Sequence, residues 1–197
     1  MQEVFARKYK KVLEILPDVA QCADGKLVLV GGTALALFYL SHRHSIDLDF
    51  VPVSGSDIAL KESLKGCLSK KGFRTSPGVF HNQFVVQFED TSIKVEVFEP
   101  EEKINQVEER IYGGAKVKVA SLEDIFRMKQ SAYADRKEAR DLFDIFCILK
   151  SKKENAALVK KLILQHGAPK NLQDIEEMAA NPDEAAAFQE VVTHASA

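Results

Sequence analysis

The sequence lacks the features that define several large classes of protein. Its 197 residues include 27 basic and 29 acidic side chains, so no excess of charge would draw the whole chain to nucleic acid or to a membrane surface. No apolar run approaches the roughly 18 residues that span a bilayer. A polyanionic partner would therefore have to be held by a local basic patch.

Cysteine is also sparse, since only Cys22, Cys67 and Cys147 are present. Their spacing contains no C-x-x-C pair and no even set, which argues against a disulfide framework. The apolar residues of the N-terminal stretch are interrupted by acidic ones, so this stretch does not resemble a secretory signal. Isolated cysteines and the lack of a signal favour a reducing, cytoplasmic setting.

The residues that are present indicate a globular protein, with 46% hydrophobic and 28% charged side chains. Periodicity predicts a first helix over 2–16 that Pro17 stops, and a loop at 71–83. It further predicts strands at 26–30, 45–53, 81–90, 92–100 and 115–121, and helices at 33–40, 57–73 and 122–150, followed by two more. This order indicates an α+β fold with a mixed, mostly antiparallel central sheet, flanking helices and a helical C-terminal part.

Two aspartates interrupt the apolar strand at 45–53. Alternation along a strand places Asp47 and Asp49 on one face, while Leu48 and Phe50 face the other way into the core. Neighbouring carboxylates repel each other, and a hard divalent cation such as Mg²⁺ or Mn²⁺ removes that conflict. The alternative is a strand edge whose aspartates merely face water.

A glycine pair before this strand favours a ligand site over a solvent-facing strand edge. Gly31, Gly32 and Thr33 connect a buried strand to a short helix, where backbone N–H groups can approach a phosphate. The chain contains neither G-x-x-x-x-G-K-[ST] nor G-x-G-x-x-G, which argues against a P-loop or a Rossmann site. The glycine turn and the aspartate pair together favour a nucleoside triphosphate on a metal.

The stretch "GGTALALFYLSHRHSIDLDF" resembles the opening motif of the AbiEii/AbiGii toxin family of the DNA polymerase β-like nucleotidyltransferase superfamily. The residues that match this motif are Gly31, Gly32, Thr33, Arg43, Ser45, Asp47 and Asp49. The resemblance implies a nucleotidyltransferase fold, with a catalytic core at 1–120 and a helical region at 121–197 that completes the active site. It also implies that Arg43 and Ser45 join the glycine turn in binding the nucleotide.

The same resemblance assigns the remaining site residues. Glu96 would be the third metal-binding carboxylate, with Glu99 as the weaker substitute; the alternative is that Lys94 and Glu96 form the solvent-exposed face of a hairpin. In "MKQSAYADRKEARDLFDIF", Lys129 would contact phosphate, Asp141 would orient Lys129 or a reacting hydroxyl, and Asp144 would support it. Charged residues on an amphipathic helix are, however, usually solvated.

The function implied is metal-dependent transfer of an NMP from an NTP to an RNA, such as a tRNA 3′ end, or to a protein hydroxyl. The protein would be the toxin-like component of a toxin–antitoxin pair, with a cognate antitoxin as partner. One alternative is a catalytically inactive nucleotide-binding or regulatory module of the same fold, and another is a phosphohydrolase that uses the same acids. His42 and His44 flank Arg43, but an H-x-H without a third ligand favours a polar loop over a zinc site.

Overall fold

The computed structural model of the protein describes residues 2–101 and 103–196, which form two compact units. The sheet unit contains Glu3–Ala34 and Ser45–Ser121, and the helical unit contains Leu35–His44 and the chain from Leu122 onward. The assignment of catalysis to 1–120, with 121–197 completing the site, stays a prediction.

A seven-stranded sheet with the order β3-β4-β5-β2-β1-β7-β6 is the centre of the sheet unit. Only the β1/β7 and β2/β5 pairs are parallel, and the other neighbours are antiparallel. The predicted mixed, mostly antiparallel sheet is thus confirmed. The strands are β1 Leu27–Val30, β2 Asp47–Pro52, β3 Arg74–Pro77, β4 Gln83–Gln87, β5 Ser92–Val97, β6 Val107–Tyr112 and β7 Ala115–Ala120.

Three helices belong wholly or mainly to the sheet unit: α1 Gln2–Ala23, α2 Gly31–Leu35 and α3 Asp57–Lys70. Apolar residues on alternate positions of the central strands are buried, as Leu48, Phe50 and Val95 illustrate. The same alternation leaves the polar residues of β2 and β5 together on the other face of the sheet. That face carries the predicted carboxylates.

The first helix does not stop at Pro17. It continues to Ala23, because the residues after the proline include Val19, which is completely buried. The proline ring lies against the β6–β7 turn, where a Cβ on Gly113 would come within 2.5 Å of the Pro17 Cγ. Packing of the second half of the helix therefore outweighs the hydrogen bond that proline cannot donate.

Two strands are missing from the predicted set. β3 lies within the segment predicted to be a loop, and β6 has the sequence VEERIY. Both are the outermost strands of the sheet, and most of their residues are exposed or only half-buried. An edge strand packs few apolar side chains, so its sequence lacks the alternation by which strands are recognised.

The helical unit begins with a π-helical turn at Ala36–Leu40, which continues directly from α2. Its other helices are α4 Leu122–Arg136, α5 Ala139–Ser151, α6 Ala157–His166, α7 Asp174–Met178 and α8 Pro182–Ser196. Helix α5 is buried along most of its length, and the Phe143 ring meets the Phe188 ring edge-on with 5.3 Å between centroids. No helix in the described part of the chain is long and apolar enough to cross a membrane.

The predicted helical stretch at 122–150 is two helices. Lys137 has a φ of +58°, a left-handed conformation that ends α4 before α5 begins. The last helix begins at Pro182, and the Asn181 Oδ1 accepts a hydrogen bond from the Asp183 N–H at 2.9 Å.

The cysteine prediction was wrong in part, because Cys22 of α1 and Cys67 of α3 form a disulfide. Lys71, just after α3, also contacts α1, with its ammonium 2.7 Å from the Asp18 carboxylate. The pairing depends on how the two helices pack, which cysteine spacing does not reveal. Cysteine usage therefore gives no support to a reducing compartment.

Thiol labelling tests this pairing. Cys147 is free but buried, so we expect the native, unreduced protein to resist maleimide. Unfolding without a reductant should expose one reactive thiol, and reduction should raise the number to three. Intact mass spectrometry counts the labels, and three labels on the unfolded, unreduced protein would contradict the structure.

Candidate active site

The glycine turn and the aspartate strand meet in the sheet unit. Gly31 begins α2 with a φ of +72°, and a Cβ built on it would lie 2.7 Å from the Asp49 Oδ2. Any larger residue would therefore clash with the carboxylate as well as adopt a left-handed backbone. Gly31 thus makes room for Asp49, a role that the sequence alone did not show.

Thr33 fixes the start of the same strand. Its buried hydroxyl donates a hydrogen bond to the Asp47 backbone carbonyl at 2.5 Å. Asp47 and Asp49 are both half-buried, with Leu48 completely buried between them. Gly32 and Ser45 are also buried, one in α2 and the other two residues before β2. The turn therefore positions the two aspartates through the backbone and through shape.

The parallel pairing of β2 with β5 brings two more charged residues to this face. Asp47 stands opposite Lys94, and Asp49 stands opposite Glu96. The Lys94 ammonium lies 3.5 Å from the Asp47 Oδ2 and 3.3 Å from the Glu96 Oε2. The predicted third carboxylate therefore lies beside the aspartate pair, with a lysine ammonium between Asp47 and Glu96.

Both oxygens of Glu96 accept hydrogen bonds from amides on the neighbouring chain segment. Asn82 donates to the Oε1 at 2.9 Å, and Gln83 of β4 donates to the Oε2 at 3.0 Å. These contacts fix the orientation of the carboxylate. Glu99, the weaker candidate, lies beyond the end of β5 and is exposed.

The charges of this cluster are coupled through Lys94. Partial burial opposes the charged form of the lysine, but the carboxylates of Asp49, Asp47 and Glu96 outweigh this effect and raise its pKa above the ordinary value. Within residues 2–101 and 103–196, no three His, Cys, Asp or Glu side chains are grouped closely enough to hold a metal ion together. The Lys94 ammonium offsets part of the negative charge of these acids.

The helical unit holds a second charged cluster, centred on Asp144 of α5. This carboxylate is completely buried, and the Arg43 guanidinium binds it through its Nε at 2.6 Å and its Nη2 at 2.8 Å. Burial opposes the charge of Asp144, but Arg43 and Lys129 outweigh it and hold its pKa well below the usual range. The pair uses the Nε and Nη2 of the guanidinium, and the Nη1 donates to the His44 backbone carbonyl at 3.3 Å.

His42 is the third partner of Asp144 and is not part of a polar surface loop. Its Nε2 lies 2.7 Å from the Asp144 Oδ1, and burial lowers its pKa, which keeps the ring neutral with the Nε2–H as donor. The His42 Nδ1 is buried and has no hydrogen-bond partner among the described residues. The histidine therefore supports an ion pair, and its bond to Asp144 leaves one ring nitrogen for any other role.

The break between α4 and α5 brings Lys129 to the acids of α5. The Lys129 Nζ lies 2.9 Å from the Asp141 Oδ1 and 2.7 Å from the Asp144 Oδ2, and all three side chains are buried. Arg136 binds the other side of Asp141, with its Nε 2.6 Å from the Oδ2. The contact between Lys129 and Asp141 is the one expected if Asp141 orients the lysine.

The C-terminal helices hold the segment that carries Arg43. The His44 N–H donates to the Met178 carbonyl at 2.8 Å, and the Ala180 N–H donates to the His42 carbonyl at 2.9 Å. Arg43 and Ala179 are accordingly paired as a short antiparallel bridge. Residues 178–180, at the end of α7 and before α8, thus position the segment that carries Arg43.

A family model described as the nucleotidyl transferase AbiEii toxin of the type IV toxin–antitoxin systems matches residues 15–195, which include both charged clusters. The chain belongs to the AbiEii family. No curated protein sequence matches it. The family assignment confirms the resemblance drawn from the opening motif, and it identifies the protein as a nucleotidyltransferase by family.

Solved structures show that this AbiEii family member has the nucleotidyltransferase fold. JHP933 from Helicobacter pylori is 20% identical with a TM-score of 0.53, over 99% of this chain and 90% of that chain. An antigenic nucleotidyltransferase-like protein from Paracoccidioides brasiliensis is 19% identical with a TM-score of 0.54, over 95% and 97%. The antibiotic-resistance factor ANT(2'')-Ia is 14% identical with a TM-score of 0.52, over 94% and 98%.

Acid titration tests the buried cluster of this AbiEii family member. Burial opposes the charge of Asp141, but Lys129 and Arg136 outweigh it and lower its pKa from 3.8 to about 2. Because the folded-state pKa is the lower one, the charged carboxylate stabilises the fold above about pH 4, and this contribution disappears as the pH falls toward 2. We expect it to amount to roughly 2 kcal/mol in the free energy of unfolding.

Urea unfolding of wild type and Asp141→Asn measures that contribution. The variant should be less stable than wild type at about pH 6, and the difference should shrink at about pH 2.5. The control is Asp135→Asn, which changes an exposed acid at the end of α4 and should show no such pH dependence. A difference between wild type and Asp141→Asn that is equal at both pH values would contradict the assignment.

Proposed function

We propose that the protein is a Mg²⁺- or Mn²⁺-dependent nucleotidyltransferase that moves an NMP from an NTP to a hydroxyl acceptor. The observation that carries the proposal is the contact of the glycine turn with the aspartate strand, where Gly31 leaves space for the Asp49 carboxylate and no more. The turn offers backbone to phosphate, and the strand offers oxygen ligands to a metal. Family membership supports the reaction class.

The donor set suits a hard divalent ion. Asp47, Asp49 and Glu96 present only carboxylate oxygens, and the Lys94 ammonium between two of them is a stand-in cation at that position. Asp47 and Asp49 would hold the ion, and Glu96, oriented by its two amide partners, would join them. When bound, the metal would neutralise charge on the phosphates.

The residues of the chain then contribute positioning. Gly31, Gly32 and Thr33 would hold the β and γ phosphates, and Thr33 also keeps Asp47 in place through its hydroxyl. The acceptor oxygen forms a bond to the α-phosphorus as the bond to the β-phosphate oxygen breaks; pyrophosphate leaves and the hydroxyl proton is released. Preorganised charge lowers the barrier to such a transfer.

Family resemblance assigns further nucleotide contacts to Lys129, Arg43 and Ser45, with Asp141 as the residue that orients Lys129. In the helical unit, Lys129 is bound to Asp141 and Asp144, and Arg43 is bound to Asp144. The buried pairs preorganise these cations whether or not they bind phosphate. We therefore propose Asp141 and Asp144 as positioning residues.

The proposed acceptor and biological role rest on the resemblance to the family. An RNA such as a tRNA 3′ end is one candidate acceptor, and a protein hydroxyl is the other. The type IV toxin–antitoxin assignment supports a toxin-like role with a cognate antitoxin. The alternative function is an inactive nucleotide-binding module of the same fold, favoured by the finding that the described side chains contain no three-acid metal cluster.

Incubation with each α-labelled NTP in cell extract tests the reaction and identifies the acceptor class. Wild type should transfer label to one class of macromolecule, and Asp49→Asn should transfer it at least about a hundredfold more slowly. Asp90→Asn, on the β4–β5 turn, is the control. Label in neither RNA nor protein would favour the inactive module, and release of phosphate alone would indicate a phosphohydrolase.

A glycine substitution tests the proposed contact between turn and strand. Gly31→Ala should slow label transfer by about a hundredfold, because the added Cβ displaces Asp49. Gly55→Ala is the matched control, since Gly55 also has a positive φ, of +89°, but no described neighbour within 4 Å of the point that a Cβ would occupy. Both substitutions place a Cβ on a residue with a positive φ, so they share the backbone strain. Equal activities of the two variants would contradict the proposal that Gly31 makes room for the Asp49 carboxylate.

A further inference from the structure

Lys94 occupies a position in the carboxylate cluster that neither the glycine turn nor the aspartate motif explains. Its ammonium lies 3.5 Å from the Asp47 Oδ2 and 3.3 Å from the Glu96 Oε2. The lysine is in register with Asp47 across the parallel β2/β5 pair, so the backbone itself delivers the ammonium there. About a third of the side chain is exposed, which leaves it free to move.

A lysine and a divalent ion would compete for these oxygens. Two cations a few ångströms apart repel each other strongly, and the ammonium already lies beside the Asp47 Oδ2 and the Glu96 Oε2. An ammonium on a flexible four-carbon stem can leave its partners at little cost in strain. The triphosphate that arrives with the metal would offer it new anionic partners.

We infer that Lys94 is a positioning residue whose ammonium takes the place of a cation among Asp47, Asp49 and Glu96, and that a divalent ion displaces it onto the triphosphate. The inference rests on the proposed function and adds to it. Under this inference, the protein binds the divalent ion weakly when no nucleotide is present. It binds the ion more tightly with nucleotide, because the triphosphate then pairs with the Lys94 ammonium. Metal and nucleotide binding are thereby coupled through one side chain.

Titration with Mn²⁺, followed by electron paramagnetic resonance, measures the competition without any turnover. Without nucleotide, Lys94→Met should bind Mn²⁺ about tenfold more tightly than wild type, because the competing charge is gone. Addition of α,β-methylene NTP analogues should raise the Mn²⁺ affinity of wild type by a larger factor than that of Lys94→Met.

Three controls separate charge from packing. Lys94→Arg keeps the positive charge and should behave like wild type. Lys116→Met removes a lysine that pairs with Glu109 elsewhere on the sheet and should also leave the Mn²⁺ affinity unchanged. Circular dichroism establishes that each variant is folded, and Lys94→Gln replaces Lys94→Met if the methionine variant is not.

The possible outcomes distinguish the inference from the function on which it rests. Equal or weaker Mn²⁺ binding by folded Lys94→Met, or an equal gain from nucleotide in both proteins, overturns the role of Lys94 alone. If wild type binds no Mn²⁺, or binds it no better than Asp49→Asn does, the proposed metal site fails and the inference fails with it. If Lys94→Met binds Mn²⁺ more tightly than wild type and gains less Mn²⁺ affinity from nucleotide, the result supports both the role of Lys94 and the proposed metal site.

Discussion

Repulsion among three carboxylates is the constraint on which the arrangement of the candidate site in the sheet unit depends. Asp47, Asp49 and Glu96 share one face of two parallel neighbouring strands, and partial burial strengthens the repulsion between them. The chain offsets it locally, with the ammonium of Lys94 and with two amides that donate to Glu96. These contacts let the three acids lie on one face of the two strands.

The helical unit solves a related problem in a different way. Two aspartates of α5, Asp141 and Asp144, are completely buried, and the cations Lys129, Arg43 and Arg136 surround them. Burial of unpaired charge would be prohibitive, whereas a fully paired network fixes the geometry of every member. The bridge between Arg43 and Ala179 adds a backbone constraint, which gives the C-terminal helices a part in holding the network.

The sequence predicts those features that depend on local pattern. Alternation places Asp47 and Asp49 on one face, and periodicity identifies β1, β2, the β4–β5 hairpin and α3. Local sequence patterns do not predict contacts between residues that lie far apart in the chain. Arg43 and Asp144 are separated by 101 residues, and Cys22 and Cys67 by 45. Edge strands β3 and β6 were missed because they bury few apolar residues, and α1 passes Pro17 because its far half is buried. The place of Lys94 depends on strand register, which no local pattern shows.

The central claim is that the aspartates beside the glycine turn hold the metal of a bound nucleotide. Anomalous scattering at the manganese edge, from crystals grown with Mn²⁺ and a non-hydrolysable NTP, tests it directly. The account predicts a manganese peak bound by Asp47 and Asp49, with the phosphates against Gly31 and Thr33. A nucleotide bound with manganese elsewhere, or with no manganese on these two carboxylates, would contradict it.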